Sequence, residues 1–242
     1  MHVGLGLNLG VGLGVGRAGP AYAYNYVVFD GGDRLQNSTN LGLSAASDYT
    51  LAVAFRIDSL ASNNLLLGMT TGIGGLFMAQ VSSTGAIQLS SPTDASTHGF
   101  LSAASATGAV VAGTDYVLHV AVRASSQTLS VWLNNSPLSM SGTFWFGTAN
   151  LTQPTAWSIG SAVGGGSNLV GRMGLMWLGW GQYITNPAAF FPAKALGNQM
   201  QNPGAQPSIG FGDTQTATNW NAGTNLGNGT GSWVVTPAAG IG

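Results

Sequence analysis

Residues 3 to 16 read VGLGLNLGVGLGVG, in which every odd position from Val3 to Val15 is apolar and every even position except Asn8 is glycine. A strict period of two puts all the branched aliphatics on one face of an extended strand, whereas a helix would scatter them around its axis. The glycine face lets another backbone approach closely, and the same glycines make an isolated strand entropically poor. The segment therefore reads as a β-arm that packs Leu5, Leu7, Leu9, Val11, Leu13 and Val15 against a partner surface. A secretory signal fits less well, because no Lys or Arg precedes the run and nearly half of it is glycine. The run is also shorter than the ~20 apolar residues that a membrane span needs.

Beyond the break at Arg17-Ala18-Gly19-Pro20, alternation returns in ordinary amphipathic form. Tyr22, Tyr24 and Tyr26 share a face and lead into a strand ending near Asp30. Between Tyr49 and Ile57 the odd residues are large and apolar while the even ones are Thr, Ala and Arg, the pattern of a half-buried antiparallel strand. Asp115 to Arg123 and Thr128 to Leu133 alternate likewise and form a hairpin through Ala124-Ser125-Ser126-Gln127. The expected core faces are Leu51, Val53, Phe55, Leu118, Val120, Val122, Leu129, Val131 and Leu133. Shorter strands are expected at Leu65 to Met69, Leu76 to Val81, Ala86 to Leu89, Ala156 to Ile159 and Gly171 to Trp180. The Ser/Ala/Thr-rich stretch from Ser90 to Gly108 reads as a long surface loop, and only Asn186 to Leu196 reads as helical.

Many short strands and almost no helix indicate an all-β, antiparallel two-sheet jelly-roll sandwich. Its parts are an arm over 1–20, a sandwich over 21–200 and a Gly/Asn/Thr-rich irregular tail over 201–242. Charged residues make up 5% of the 242, against about 25% in an ordinary soluble domain. There is no Glu, Lys194 is the single lysine, and the net charge is −1. Six scattered basic residues cannot neutralise a phosphate backbone, which argues against nucleic acid as a partner. Weak self-repulsion instead favours dense association. With no cysteine, stability must come from packing and β-ladders.

The segments YTLAVAFRI (49 to 57), DYVLHVAVRASSQTLSVWLNN (115 to 135), WSIGS (157 to 161) and LVGRMGLMWLGWGQYITNP (169 to 187) together resemble the laminin-G-like, concanavalin A-like jelly roll. In that family the strand that follows the central-His strand ends in Asn-Gly, where this chain has Asn134-Asn135. The tail ATNWNAGTNLGNGTGSWVV (217 to 235) resembles the C-terminal segment of tailed-bacteriophage virion proteins that carry this domain. The resemblance implies a virion structural protein, such as a capsid decoration or a tail or fibre component.

Glycosidases of this superfamily use paired Glu residues, one to protonate the leaving group and one to attack or stabilise, and this chain has none. The nearest Asp pair, Asp30 and Asp33 in FDGGDR, reads as a glycine turn. His119 lies mid-strand, in phase with Val117, Ala121 and Arg123, and reads as a hydrogen-bonded structural residue. No two histidines have metal-ligand spacing. Calcium is the one metal the resemblance suggests, with Asp30, Asp33, Asp94 and Asp213 as candidate ligands, although no dense acidic loop exists. No organic cofactor is expected.

Sugar binding uses aromatic faces beside amide and hydroxyl groups, which singles out Trp145 and Trp180 as candidate glycan contacts. Trp177 and Trp180 have opposite parity, so one is expected in the core and the other exposed or at an interface. The expectation is a non-enzymatic phage structural protein, located in the virion and assembled in the bacterial host cytoplasm. It would assemble through its arm with copies of itself and other virion proteins. A carbohydrate-binding module that contacts host glycans is the alternative.

Overall fold

Leu51, Val53, Phe55 and Ile57 line the inner face of a strand, β3 (Tyr49–Ile57), each at most 1% exposed. The computed structural model describes residues 27–37, 48–70, 78–94, 99–146, 156–161, 167–187, 208–211 and 234–236. The arm with Leu5 to Val15, and the expected helix beyond Pro187, lie outside the described residues.

The described strands form two antiparallel sheets. Sheet A runs β1 (Val27–Asp30), β13 (Val170–Trp180), β3, β8 (Asp115–Arg123), β9 (Thr128–Leu133), β10 (Ser136–Pro137). A seventh strand, β14 (Ser208–Phe211), pairs with residues 176–179 of β13, further along the edge that β1 occupies. Sheet B has eight strands in the order β11 (Ser141–Phe146), β7 (Gly99–Ala104), β6 (Ile87–Asp94), β5 (Met78–Val81), β4 (Asn64–Thr70), β12 (Ala156–Gly160), β2 (Arg34–Asn37), β15 (Val234–Thr236). Two strands of the C-terminal tail thus close one edge position in each sheet.

The core lies between the sheets. From β8 and β9 come Leu118, Val120, Val122 and Val131, with Leu129 and Leu133 partly buried against them. Sheet B answers with Leu67, Ala79, Val81, Ile87, Leu89, Trp157 and Ile159. Burying one Leu or Val contributes roughly 1.5–3 kcal/mol, and a one-residue slip of register would expose a whole strand's set at once. This is what fixes the pairing of β3 with β8, Leu51 opposite Val120 and Val53 opposite Leu118.

Asn134 and Asn135 both adopt left-handed backbone, at φ 52° and 61°, and make the two-residue turn between β9 and β10. That is the geometry of a type I′ turn, which asparagine tolerates nearly as glycine does. Asn134 adds a tether, since its Oδ1 accepts the Val117 N–H at 3.0 Å.

Three expectations need correction. Ser90 to Gly108 is not one long loop, because β6 extends to Asp94 and β7 occupies Gly99–Ala104. Ser90 and Ser102 sit opposite each other on the outer face while Leu89 and Ala103 fill the core, so small hydroxyl residues here mark a solvated sheet face. TFWF belongs to an edge strand, β11, that alternation alone did not reveal. Finally, β3 and β8 are buried on both faces: Thr50, Ala52, Ala54, His119 and Ala121 on their outer side are at most 1% exposed.

Candidate functional site

Part of the second burial of β3 and β8, at Thr50 and His119, comes from the segment that follows β13. Thr50 Oγ1 donates to the Gln182 carbonyl at 2.9 Å and accepts the Ile184 N–H at 3.0 Å. His119 Nε2 lies 2.7 Å from the Ile184 carbonyl. A carbonyl only accepts, so the imidazole carries its proton on Nε2. Arg123 stacks its guanidinium 4.1 Å from the centroid of Tyr183, and Asp48 lies 3.8 Å from the Arg123 Nε. Residues 182–184 are therefore strapped across the outer face of sheet A.

Under that strap a row runs through four strands: Trp177, Ala52, His119 and Trp132 are register partners on β13, β3, β8 and β9. The His119 ring meets the edge of Trp132 at 5.0 Å and 82°. Trp177 is fully buried, and its indole lies along the strand in the space that a Cβ on Gly179 would occupy. Burial lowers the His119 pKa to about 4, against the smaller opposing effect of the Ile184 carbonyl. A triad needs a histidine beside an accessible nucleophile and an orienting carboxylate. Here the imidazole is sealed, and the nearby Thr50 hydroxyl is engaged on both sides.

Asp30 and Asp33 flank a turn at Gly31, φ 97°. Asp30 Oδ1 accepts the Gly32 N–H at 3.1 Å, and Asp33 Oδ2 lies 3.4 Å from the Asp30 N–H. Partial burial, then the neighbouring Asp30 charge, raises the Asp33 pKa. Both carboxylates thus serve their own turn. The backbone of Asp94 ends β6, its side chain and all of Asp213 lying outside the described residues. Among the described residues no three His, Asp or Glu side chains converge as a metal cluster, and no helix is long and apolar enough to cross a membrane.

The open face is on sheet B. Phe144 packs toward the core, so by alternation Thr143 and Trp145 point outward from β11. Thr143 pairs with Ser102, and Ser102 with Ser90, giving a line of hydroxyls across three strands at about 4.8 Å intervals. Thr143, Ser102 and Ser141 are exposed, while Trp145 is half-buried one pleat further along the edge strand. Towards β5 the face continues as an amide pair, Gln80 Nε2 donating to Gln88 Oε1 at 2.8 Å, with Ser167 Oγ closing over Gln80 Oε1 at 3.1 Å. An aromatic ring beside exposed hydroxyl groups can hold a flat, polyhydroxylated molecule. The other candidate aromatic, Trp180, pairs its backbone with Tyr49 in sheet A, and its side chain is outside the described residues. The two tryptophans are on different sheets, so a site on this face uses Trp145 alone. The sequence signal for the face was the residue type of Trp145; its strand, β11, did not show in the alternation, and its hydroxyl partners on β6 and β7 lie in the stretch that reads as a loop.

No protein-family model matches the chain, and no curated protein matches it. Solved structures do. A heptameric SAP-like pentraxin from Limulus polyphemus is 13% identical with a TM-score of 0.54, over 88% of this chain and 94% of that one. A Bacteroides ovatus protein to which carbohydrate binding has been ascribed is 11% identical with a TM-score of 0.62, over 89% of this chain and 60% of that one. A leech intramolecular trans-sialidase, complexed with 2,7-anhydro-Neu5Ac, is 15% identical with a TM-score of 0.50, over 75% of this chain and 28% of that one. At these identities the likeness is one of fold, and the fold is the all-β, two-sheet jelly roll of the concanavalin A-like kind.

Proposed function

We propose that this chain is a non-catalytic β-sandwich that binds glycan on the outer face of β6, β7 and β11, with Trp145 as the stacking platform. The half-exposed Trp145 ring beside the exposed Thr143 and Ser102 hydroxyls carries the reading. The ascription of carbohydrate binding to the Bacteroides ovatus protein of like fold supports it. Non-catalysis is supported by the absence of Glu, the sealed His119 and the turn-bound Asp30 and Asp33. The test is Trp145→Ala, measured by glycan array and calorimetry. Loss of a central aromatic contact is worth about 2 kcal/mol or more, roughly 30-fold in Kd, with the melting temperature little changed. If the protein binds no glycan, or the variant binds as well as the parent, this reading fails.

A second reading, a tailed-phage virion structural protein, is favoured by the Val3–Val15 alternation, by the low charge and by the resemblance of the tail. Its partners would be further copies of the chain and other virion proteins, and its place the virion, assembled in the host cytoplasm. Leu5, Leu7, Leu9, Val11, Leu13 and Val15 would bury against a neighbour, and the edges of the arm would pair with a partner strand. Deleting residues 1–16 is expected to leave melting unchanged while abolishing oligomerisation or virion attachment. Normal incorporation of the truncated chain would overturn it. The readings are compatible, since a capsid decoration or fibre can present a glycan-binding face.

A further inference from the structure

We infer that the glycan face selects uncharged sugars over sialylated or uronic-acid glycans; the inference rests on the glycan-binding reading of Trp145. A bound carboxylate must exchange its water shell for a cation or several N–H donors, or remain in solvent and add nothing. Across its eight strands, sheet B contains two charged residues, Arg34 and Asp94. Arg34 is on β2, six strands from β11 and so about 29 Å away at ~4.8 Å per strand. That exceeds three Debye lengths of about 8 Å at physiological salt. Asp94 pairs its backbone with Gly99, which pairs with Phe146, the residue after Trp145, and its side chain lies outside the described residues. No basic residue therefore belongs to β6, β7 or β11.

The other described cations lie in the opposite sheet. Arg56 and Arg172 face each other there as register partners, with Arg56 held by Asp58 at 2.6 Å, and Arg123 is stacked on Tyr183. Arg17 and Lys194 are outside the described residues. Thr143, Ser102 and Ser90 offer neutral hydroxyls, each able to donate and accept, which suits a sugar hydroxyl. The face of an indole carries negative potential, which attracts polarised C–H groups and disfavours an anion.

The experiment uses the full chain on an array carrying galactose-, glucose-, mannose- and N-acetylglucosamine-terminated glycans beside sialylated and uronic-acid-terminated ones. The best neutral glycan and its sialylated counterpart are then titrated at about 50 and about 500 mM NaCl, a range that screens surface charge. The expected result is binding of the neutral glycan with Kd constant within twofold across salt, and at least tenfold weaker binding of the acidic counterpart. Equal or tighter binding of the acidic form, or a Kd that rises steeply with salt, overturns the inference while leaving the Trp145 reading intact. No binding by either class overturns both.

Discussion

His119 gives the sharpest test of the strapped face. Its folded pKa is about 4, lowered first by burial, against about 6.5 for a free imidazole. As pH falls through 6.5 the unfolded chain takes up a proton that the folded chain refuses, so stability falls with pH until the folded group also titrates near 4. The full span is about 2.5 pH units, or about 3 kcal/mol, of which about 2 kcal/mol should be lost between pH 7 and pH 4.5. For a chain of this size that corresponds to roughly 4–8 °C in melting temperature. His119→Gln removes the titration but keeps an N–H within reach of the Ile184 carbonyl. Thermal melts of the parent and the variant at half-unit steps of pH separate this effect from the carboxylates, which contribute to both. The difference in stability should shift by about 2 kcal/mol towards the variant on acidification. Parallel curves would refute the placement of a neutral imidazole under the strap.

Further substitutions test the rest of the frame. Gly179→Ala puts a methyl where the Trp177 indole lies, and overpacking of this kind should cost about 1–3 kcal/mol; a variant that melts like the parent would contradict the position of the indole. Asn134→Ala combines a left-handed backbone with loss of the bond to the Val117 N–H, for about 1–2 kcal/mol, whereas Asn134→Gly should cost less because the turn survives. Equal losses in chemical denaturation would mean that the turn geometry is unimportant.

How far the sequence could be read depended on whether burial was one-sided. Leu51 to Ile57, Leu118 to Val122 and Val131 announce their inward face because the contrast with their neighbours is strong. The reverse face of the same strands carries Ala52, Ala54 and Ala121, which read as neutral, yet they are fully buried on the face where Thr50 and His119 bond residues 182–184. His119 reads as a hydrogen-bonded residue on that face, and its partner is Ile184, 65 positions later, a range at which no periodicity reports a contact. β6 and β7 were hidden because their outward serines share the composition of a loop. Trp145 stood out by type, while Thr143, Ser102 and Ser90 joined it only once strand order was known.

β3 lies between β8 and β13, so its inner and outer faces and one of its two edges are completed by chain made long after it. Between Ile57 and Trp180 a ribosome adds 180 − 57 = 123 residues, which at about 5–20 residues per second takes roughly 6–25 s. During that interval the nine residues YTLAVAFRI form a strand with β8 at best, with its other edge bare and apolar. Nascent chains stalled before residue 170 should then be the aggregation-prone species. Chaperone capture during synthesis, rather than any weakness of the finished sandwich, would set the yield of folded protein.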